Sequence, residues 1–143
     1  MELQIYKNAE FGHLKEIEKS RSSDYIGFFY ILEWGDAVKI GSTKNPYRRL
    51  MALKRQAERY GSAAVGDLAL SQGHTNYWGN ELILHRHFSD YQRGNTELFA
   101  ISLQQVLNEM PKDIYLLDET KRIERDSEMA CSFMKQVLAG GEK

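Results

Sequence analysis

Cysteine occurs once in the 143 residues, at Cys131, which excludes an internal disulfide and any multi-cysteine zinc site. Cys131 lies in an apolar-periodic stretch and is expected to be an inert, half-buried thiol. Four histidines without paired spacing do not complete a zinc ligand set, and neither a Walker loop nor a dinucleotide glycine motif is present. Proline occurs only twice, and 42% hydrophobic with 27% charged residues argues against a disordered or fibrous chain. No run approaches the roughly 18 apolar residues that a membrane helix needs. The N-terminus alternates charged with apolar residues where a signal peptide would be continuously apolar, so the expected location is the cytoplasm, with no membrane partner. An excess of one charge sign is missing too. The net charge of −1 is weak support for nucleic-acid binding, which usually shows as surplus Lys and Arg. The charge is unevenly spread, however. Lys39, Lys44, Arg48, Arg49, Lys54, Arg55 and Arg59 face one acid, Glu58, whereas between Glu109 and Glu128 acids outnumber bases.

What is present reads as one domain of 1–143 with one hydrophobic core. In residues 3–19, Leu3, Tyr6, Phe11, Leu14 and Ile17 recur at mostly helical intervals, predicting a peripheral amphipathic helix bent near Gly12. From Tyr25 to Trp34 the chain is dense in aromatic and β-branched residues, as a strand would be. Gly35-Asp36 supplies turn chemistry before Ala37–Gly41, so the two segments predict a β-hairpin. Asn45 as N-cap and Pro46 at the first helical position open a helix on which Leu50, Leu53 and Ala57 recur, ending near Gly61. Val65–Leu70 predicts a third strand, and about Tyr77–Ser89 a second helix with Leu82, Leu84, His85 and Phe88 on its apolar side. A turn at Arg93-Gly94-Asn95 and a short helix capped by Ser102 follow. Beyond Pro111 an acidic amphipathic helix, about Leu117–Leu138, presents Ile123, Ala130, Phe133 and Val137 as a stripe expected to be buried. The expected fold is α/β (α+β): a small three-stranded mixed or antiparallel sheet flanked by helices. Its core would span 25–110, with a helical extension at 1–22 and the acidic helix at 111–143.

An ordered set of motifs then stands out: Phe28-Phe29-Tyr30, Lys39-Ile40-Gly41, Thr43-Lys44-Asn45-Pro46-Tyr47-Arg48-Arg49-Leu50, Glu81-Leu82-Ile83-Leu84-His85 and Glu97-Leu98-Phe99. In order and spacing this set resembles the GIY-YIG nuclease superfamily. The likeness is to its branch found in phage proteins and in proteins related to a meiotically up-regulated yeast gene, whose second motif reads Lys-Ile-Gly. The resemblance covers about residues 27–99. It implies metal-dependent hydrolysis of nucleic-acid phosphodiester bonds, with DNA as the expected nucleic acid and Mg2+ or Mn2+ as cofactor. Carried over position by position, it implies Glu81 as metal ligand, Arg49 on the scissile phosphate and Tyr30 beside the attacking water, with Lys39 and His85 assisting. Lys39 stands where better-known members carry a second tyrosine, so a cation replaces a phenol there. Lys44, Arg48, Lys54 and Arg55 would contact the nucleic-acid backbone.

Taken singly, each residue also has an ordinary reading. Tyr30 suits a packed strand aromatic, the basic run a solvated helix face, and Glu81 with His85 a surface pair one turn apart. Glu97 is either a second carboxylate near the metal or an exposed acid. His74, Tyr77 and Trp78 either flank a nucleic-acid channel or serve the core and the helix entry. A rival of another class is a catalytically inactive nuclease-like fold that binds nucleic acid or a protein as a regulator or inhibitor. The C-terminal helix would either close the core or form the seam of a homodimer or a protein complex. A subunit that supplies cleavage to a larger defence or mobility system is a third.

Overall fold

The computed structural model describes residues 3–61 and 63–141, with side chains through residue 137. Its centre is strand β2, Phe28–Trp34, in which every residue but Glu33 is buried. The run is continuously apolar because both of its faces are covered. Phe28, Tyr30, Leu32 and Trp34 point to one side, and Phe29 and Ile31 to the other. Strand β3, Ala37–Thr43, returns antiparallel through the Gly35-Asp36 turn, with Trp34 opposite Ala37. Gly35 has φ +62°, the left-handed conformation that a glycine supplies at the first position of a type II′ hairpin turn.

The sheet has five strands, all antiparallel, in the order β1-β4-β2-β3-β5, where β4 is Val65–Leu70, β1 is Gln4–Tyr6 and β5 is Leu98–Phe99. The α+β class expected from the sequence is observed, but the sheet gains two short edge strands over the three predicted. Instead of lying in a peripheral helix, residues 4–6 pair with β4. A 3₁₀ segment, Asn8–His13, and helix α1, Leu14–Lys19, follow, and they bury Phe11 and Leu14 under the sheet. With helix α2, Pro46–Tyr60, which contributes Leu50, Leu53 and Ala57, they cover the Tyr30 face. Helix α3, Tyr77–His87, and helix α4, Leu103–Asn108, cover the opposite face through Leu84, Phe88, Leu103 and Val106. Leu82, predicted on the apolar side of α3, is exposed instead.

Ser102 caps α4 as predicted, its hydroxyl accepting from the Gln105 N–H at 3.1 Å. Helix α5, Thr120–Gly141, corrects another expectation. Its predicted buried stripe has no covering surface among the described residues: Ala130, Phe133 and Val137 are exposed, and Ile123 is only partly covered. Cys131 is likewise exposed rather than half-buried. Among the described residues no helix is long and apolar enough to cross a membrane.

One buried polar junction fixes α3. His74 is fully buried, with Nδ1 2.8 Å from the Gln72 carbonyl and Nε2 3.0 Å from Asn80 Nδ2, which also donates to the Tyr115 carbonyl at 2.7 Å. The carbonyl requires a proton on Nδ1 and the amide a lone pair on Nε2, so the ring is neutral. Burial lowers its pKa below the ordinary 6.5. The unfolded chain therefore takes up this proton first, and the stability that the neutral ring contributes is present above about pH 6.5 and lost as pH falls below it. Asn80→Ala strands the imidazole and the Tyr115 carbonyl. It is expected to cost about 2–3 kcal/mol and to lower Tm by roughly 5–10 °C, which thermal denaturation at neutral pH will measure.

Candidate functional site

Strand β3 pairs with β5 only at Val38 and Lys39, and the Ile40 N–H then donates to the Glu97 carbonyl at 3.0 Å. Beyond that point β5 has ended, so among the described residues Gly41–Thr43 forms a free sheet edge where groups from opposite faces can meet around a single strand. Tyr30, directly opposite Gly41, lays its ring across that residue. A Cβ on Gly41 would stand 2.4 Å from the Tyr30 hydroxyl oxygen. The lack of a side chain at 41 is what lets the phenol reach the edge.

Arg49, in the first turn of α2, donates from Nε to the Tyr30 hydroxyl at 3.3 Å, and its Nη2 lies 4.0 Å from Glu97 Oε2. From the other face, α3 brings Glu81, with Oε2 3.8 Å from His85 Nε2 one turn later. That same His85 nitrogen is 2.8 Å from the Ile40 carbonyl. A carbonyl only accepts, so Nε2 carries the proton, and the ring is further seated against Phe99 at 5.1 Å between centroids. His85 therefore braces α3 against β3.

The electrostatics follow from burial. Desolvation raises the Glu81 pKa, opposed by a hydrogen bond with the Ser42 side chain and by the His85 and Arg49 charges. Desolvation likewise raises that of Tyr30, and the Arg49 bond only partly offsets it. Arg49 is held ionised more firmly, chiefly through its bond with Tyr30. The fields of Glu81 and Glu97 act on both Tyr30 and Arg49. The four side chains therefore form one electrostatic unit although they come from β2, α2, α3 and the lead into β5. Arg49 has 43% of its side chain exposed, whereas Tyr30 is 0% exposed. The site faces solvent through its guanidinium and the Glu97 carboxylate, with the phenol and the Glu81 carboxyl largely covered.

A family model, the T5orf172 domain, matches residues 27–112. The chain belongs to this family. The T5orf172 domain is phage-associated and related to nucleases, and in this chain it contains the whole free-edge constellation, while α5 lies outside it. No curated protein and no solved structure matches the chain.

The remaining predicted site residues fall in different places on the T5orf172 domain. Lys39 shares a sheet face with Tyr30, but its ammonium lies over the Trp34 ring, 5.0 Å from the centroid, so it is not brought to the Tyr30 hydroxyl to lower its pKa. Lys44, Arg48 and Arg55 are exposed, and the last two lie seven residues apart on one face of α2. Lys54 is on another flank, 5.8 Å over the Phe11 ring. His74 belongs to the core junction, Tyr77 packs its ring over Gly27, and Trp78 alone of that trio is exposed. Sequence reading gave Ser42 no place in the site and left Glu97 undecided. The signal for Ser42 was its adjacency to the motif residue Gly41, and for Glu97 its place at the head of the Glu97-Leu98-Phe99 motif.

Proposed function

We propose that this chain is a metal-dependent endonuclease of the GIY-YIG type that hydrolyses nucleic-acid phosphodiester bonds. The observation that carries the reading is the meeting of Arg49, Tyr30, Glu81 and Glu97 at the unpaired edge of β3. A guanidinium anchored by a phenol and a carboxylate is pre-aimed, so it can bind a phosphate with little reorganisation as charge builds on the non-bridging oxygens.

The donor set suits Mg2+ or Mn2+. Among the described residues no three His, Cys, Asp or Glu side chains gather into a cage, whereas a hard divalent ion that keeps most of its waters needs only one or two carboxylates. Glu81 would hold it, and its buried charge gains the compensation it lacks in the free protein. Such an ion, when bound, supplies Lewis-acid stabilisation of charge on the phosphate. Tyr30, neutral and buried, acts in this reading as a positioning residue for Arg49, with its O–H left as a donor into the site. His85 holds the Glu81 turn in register with β3. Lys44, Arg48 and Arg55 would track the nucleic-acid backbone. Lys39 and Lys54 would contribute only positive field, because their ammonium groups already lie over aromatic rings.

The test is incubation of the protein with supercoiled plasmid, single-stranded DNA and RNA, with magnesium, manganese or chelator. Metal-dependent products are expected, and Arg49→Ala should reduce their rate by about 10²–10³-fold, the usual loss when one transition-state donor is removed. Arg49→Lys keeps the charge but loses the Nε anchor to Tyr30, so it should recover only part of the rate. Absence of product on every substrate would refute the enzyme. A second reading would then lead, a nuclease-like fold that works by binding a protein, and it is favoured by one observation. Met129, Phe133, Met134 and Val137 all lie exposed on α5.

A further inference from the structure

Helix α3 has one covered flank and one open flank. Asn80 and His87 bond to the carbonyls of Tyr115 and Glu109, so that side is closed by the chain leading to α5. Trp78 stands on the other side, with Glu81 three residues and His85 seven residues further on, a spacing that places all three along one flank. Trp78 is 65% exposed, and Leu82, one turn on, is also exposed. A tryptophan is among the largest apolar side chains, and leaving one in water beside a charged site needs a reason. The charge at the adjoining site points to the occupant. The Arg49 guanidinium, whose field reaches Glu81, favours an anionic ligand, the exposed Lys44, Arg48 and Arg55 add positive charge at and along α2 on the other face of the sheet, and the indole offers a flat π-face of the kind on which nucleobases stack.

We infer that Trp78 is a stacking platform for an unpaired nucleobase next to the scissile phosphate, which makes the preferred substrate a nucleic acid that is single-stranded or locally unpaired at the cut. This rests on the endonuclease reading and adds the substrate class. In a duplex both faces of each base are covered by its neighbours, so a rigid indole on a helix gains contact only with a base that has left the stack. Trp78 and Glu81 are separated by about 4.5 Å of helix axis, so a base on the indole belongs to a nucleotide at or beside the phosphate that Glu81 serves. Leu82 would border the same base.

The chain itself carries the reporter. Its two tryptophans are Trp34, 8% exposed and buried in the sheet, and Trp78, so emission that a bound ligand quenches comes from position 78. With chelator present to prevent cleavage, titration with a short oligothymidylate should quench that emission, and the equivalent paired duplex should quench it far less. By fluorescence anisotropy with labelled oligonucleotides, Trp78→Ala should weaken binding of the single strand by about tenfold, the scale of one base-stacking contact. It should leave duplex binding unchanged, and Trp78→Phe should restore most of the loss. Equal single-strand affinity of Trp78→Ala and the parent protein, or equal quenching by duplex, overturns the platform while leaving the endonuclease reading standing. Failure of every nucleic acid to bind overturns both.

Discussion

Glu81→Gln is expected to reduce metal-dependent cleavage by at least about 10³-fold, the range for removing a metal's principal anchor and its charge stabilisation, while making the metal-free protein more stable. The second half of that expectation sets it apart from ordinary damage. The Glu81 carboxyl is nearly buried, and its pKa is raised by desolvation despite the Ser42 bond and the nearby His85 and Arg49 side chains. A carboxyl whose folded pKa lies above its unfolded value stabilises the fold below the unfolded value. That contribution disappears as pH rises through the folded value. At neutral pH the native state therefore holds a carboxylate it would rather protonate, and a neutral amide of the same shape relieves the cost. We expect a gain of about 1 kcal/mol, or roughly 3 °C in Tm. Magnesium should reverse the ranking by binding the native parent and not the variant. Differential scanning calorimetry with chelator and with magnesium reads all four values. A variant that loses activity but melts lower than the parent without metal would show that Glu81 serves packing, and the metal assignment would fall.

The central hairpin, α2 with its Asn-Pro start, β4 and α3 were legible because their periodicities agree with their burial. The misreadings share a cause, which is that periodicity records a pattern and says nothing of the partner. Leu3 and Tyr6 stand three apart as on a helix, yet residues 4–6 are a strand, since the open edge of β4 offers hydrogen bonds that a three-residue segment cannot supply itself. On α5 the stripe is regular, but among the described residues no surface meets it. In the candidate site, motif spelling gave Tyr30, Arg49 and Glu81, yet not the reason they meet. That reason is topological: β5 ends after Phe99 pairs with Val38 and Leu98 with Lys39, which leaves the edge at Gly41 open to both faces. The Tyr30 environment was also out of reach, because a pKa raised by burial depends on what lies above the ring.

Gly41→Ala is the second change expected to have a large effect, and its sign depends on Tyr30. In an ordinary strand alanine is favoured over glycine by about 0.5–1 kcal/mol. At 41 the new methyl would lie 2.4 Å from the Tyr30 hydroxyl oxygen and 2.6 Å from Cζ, and the ring is fully buried among Leu50, Leu53 and Leu70, with no slack to yield. Overpacking of this kind costs about 1–3 kcal/mol, and relief requires the phenol to shift. Any shift breaks its 3.3 Å bond with Arg49, so cleavage should fall by about 10²-fold or more from misplacement alone. The cycle with Tyr30→Ala isolates the contact. Tyr30→Ala by itself costs about 3–5 kcal/mol as a large-to-small core change. In that background Gly41→Ala should be neutral or stabilising, because the obstruction is gone and only the backbone preference remains. Urea denaturation of the four proteins supplies the coupling energy. If Gly41→Ala costs the same with and without the tyrosine ring, the glycine answers to the strand itself and not to the phenol, and Tyr30 does not depend on an open path over residue 41 to reach Arg49.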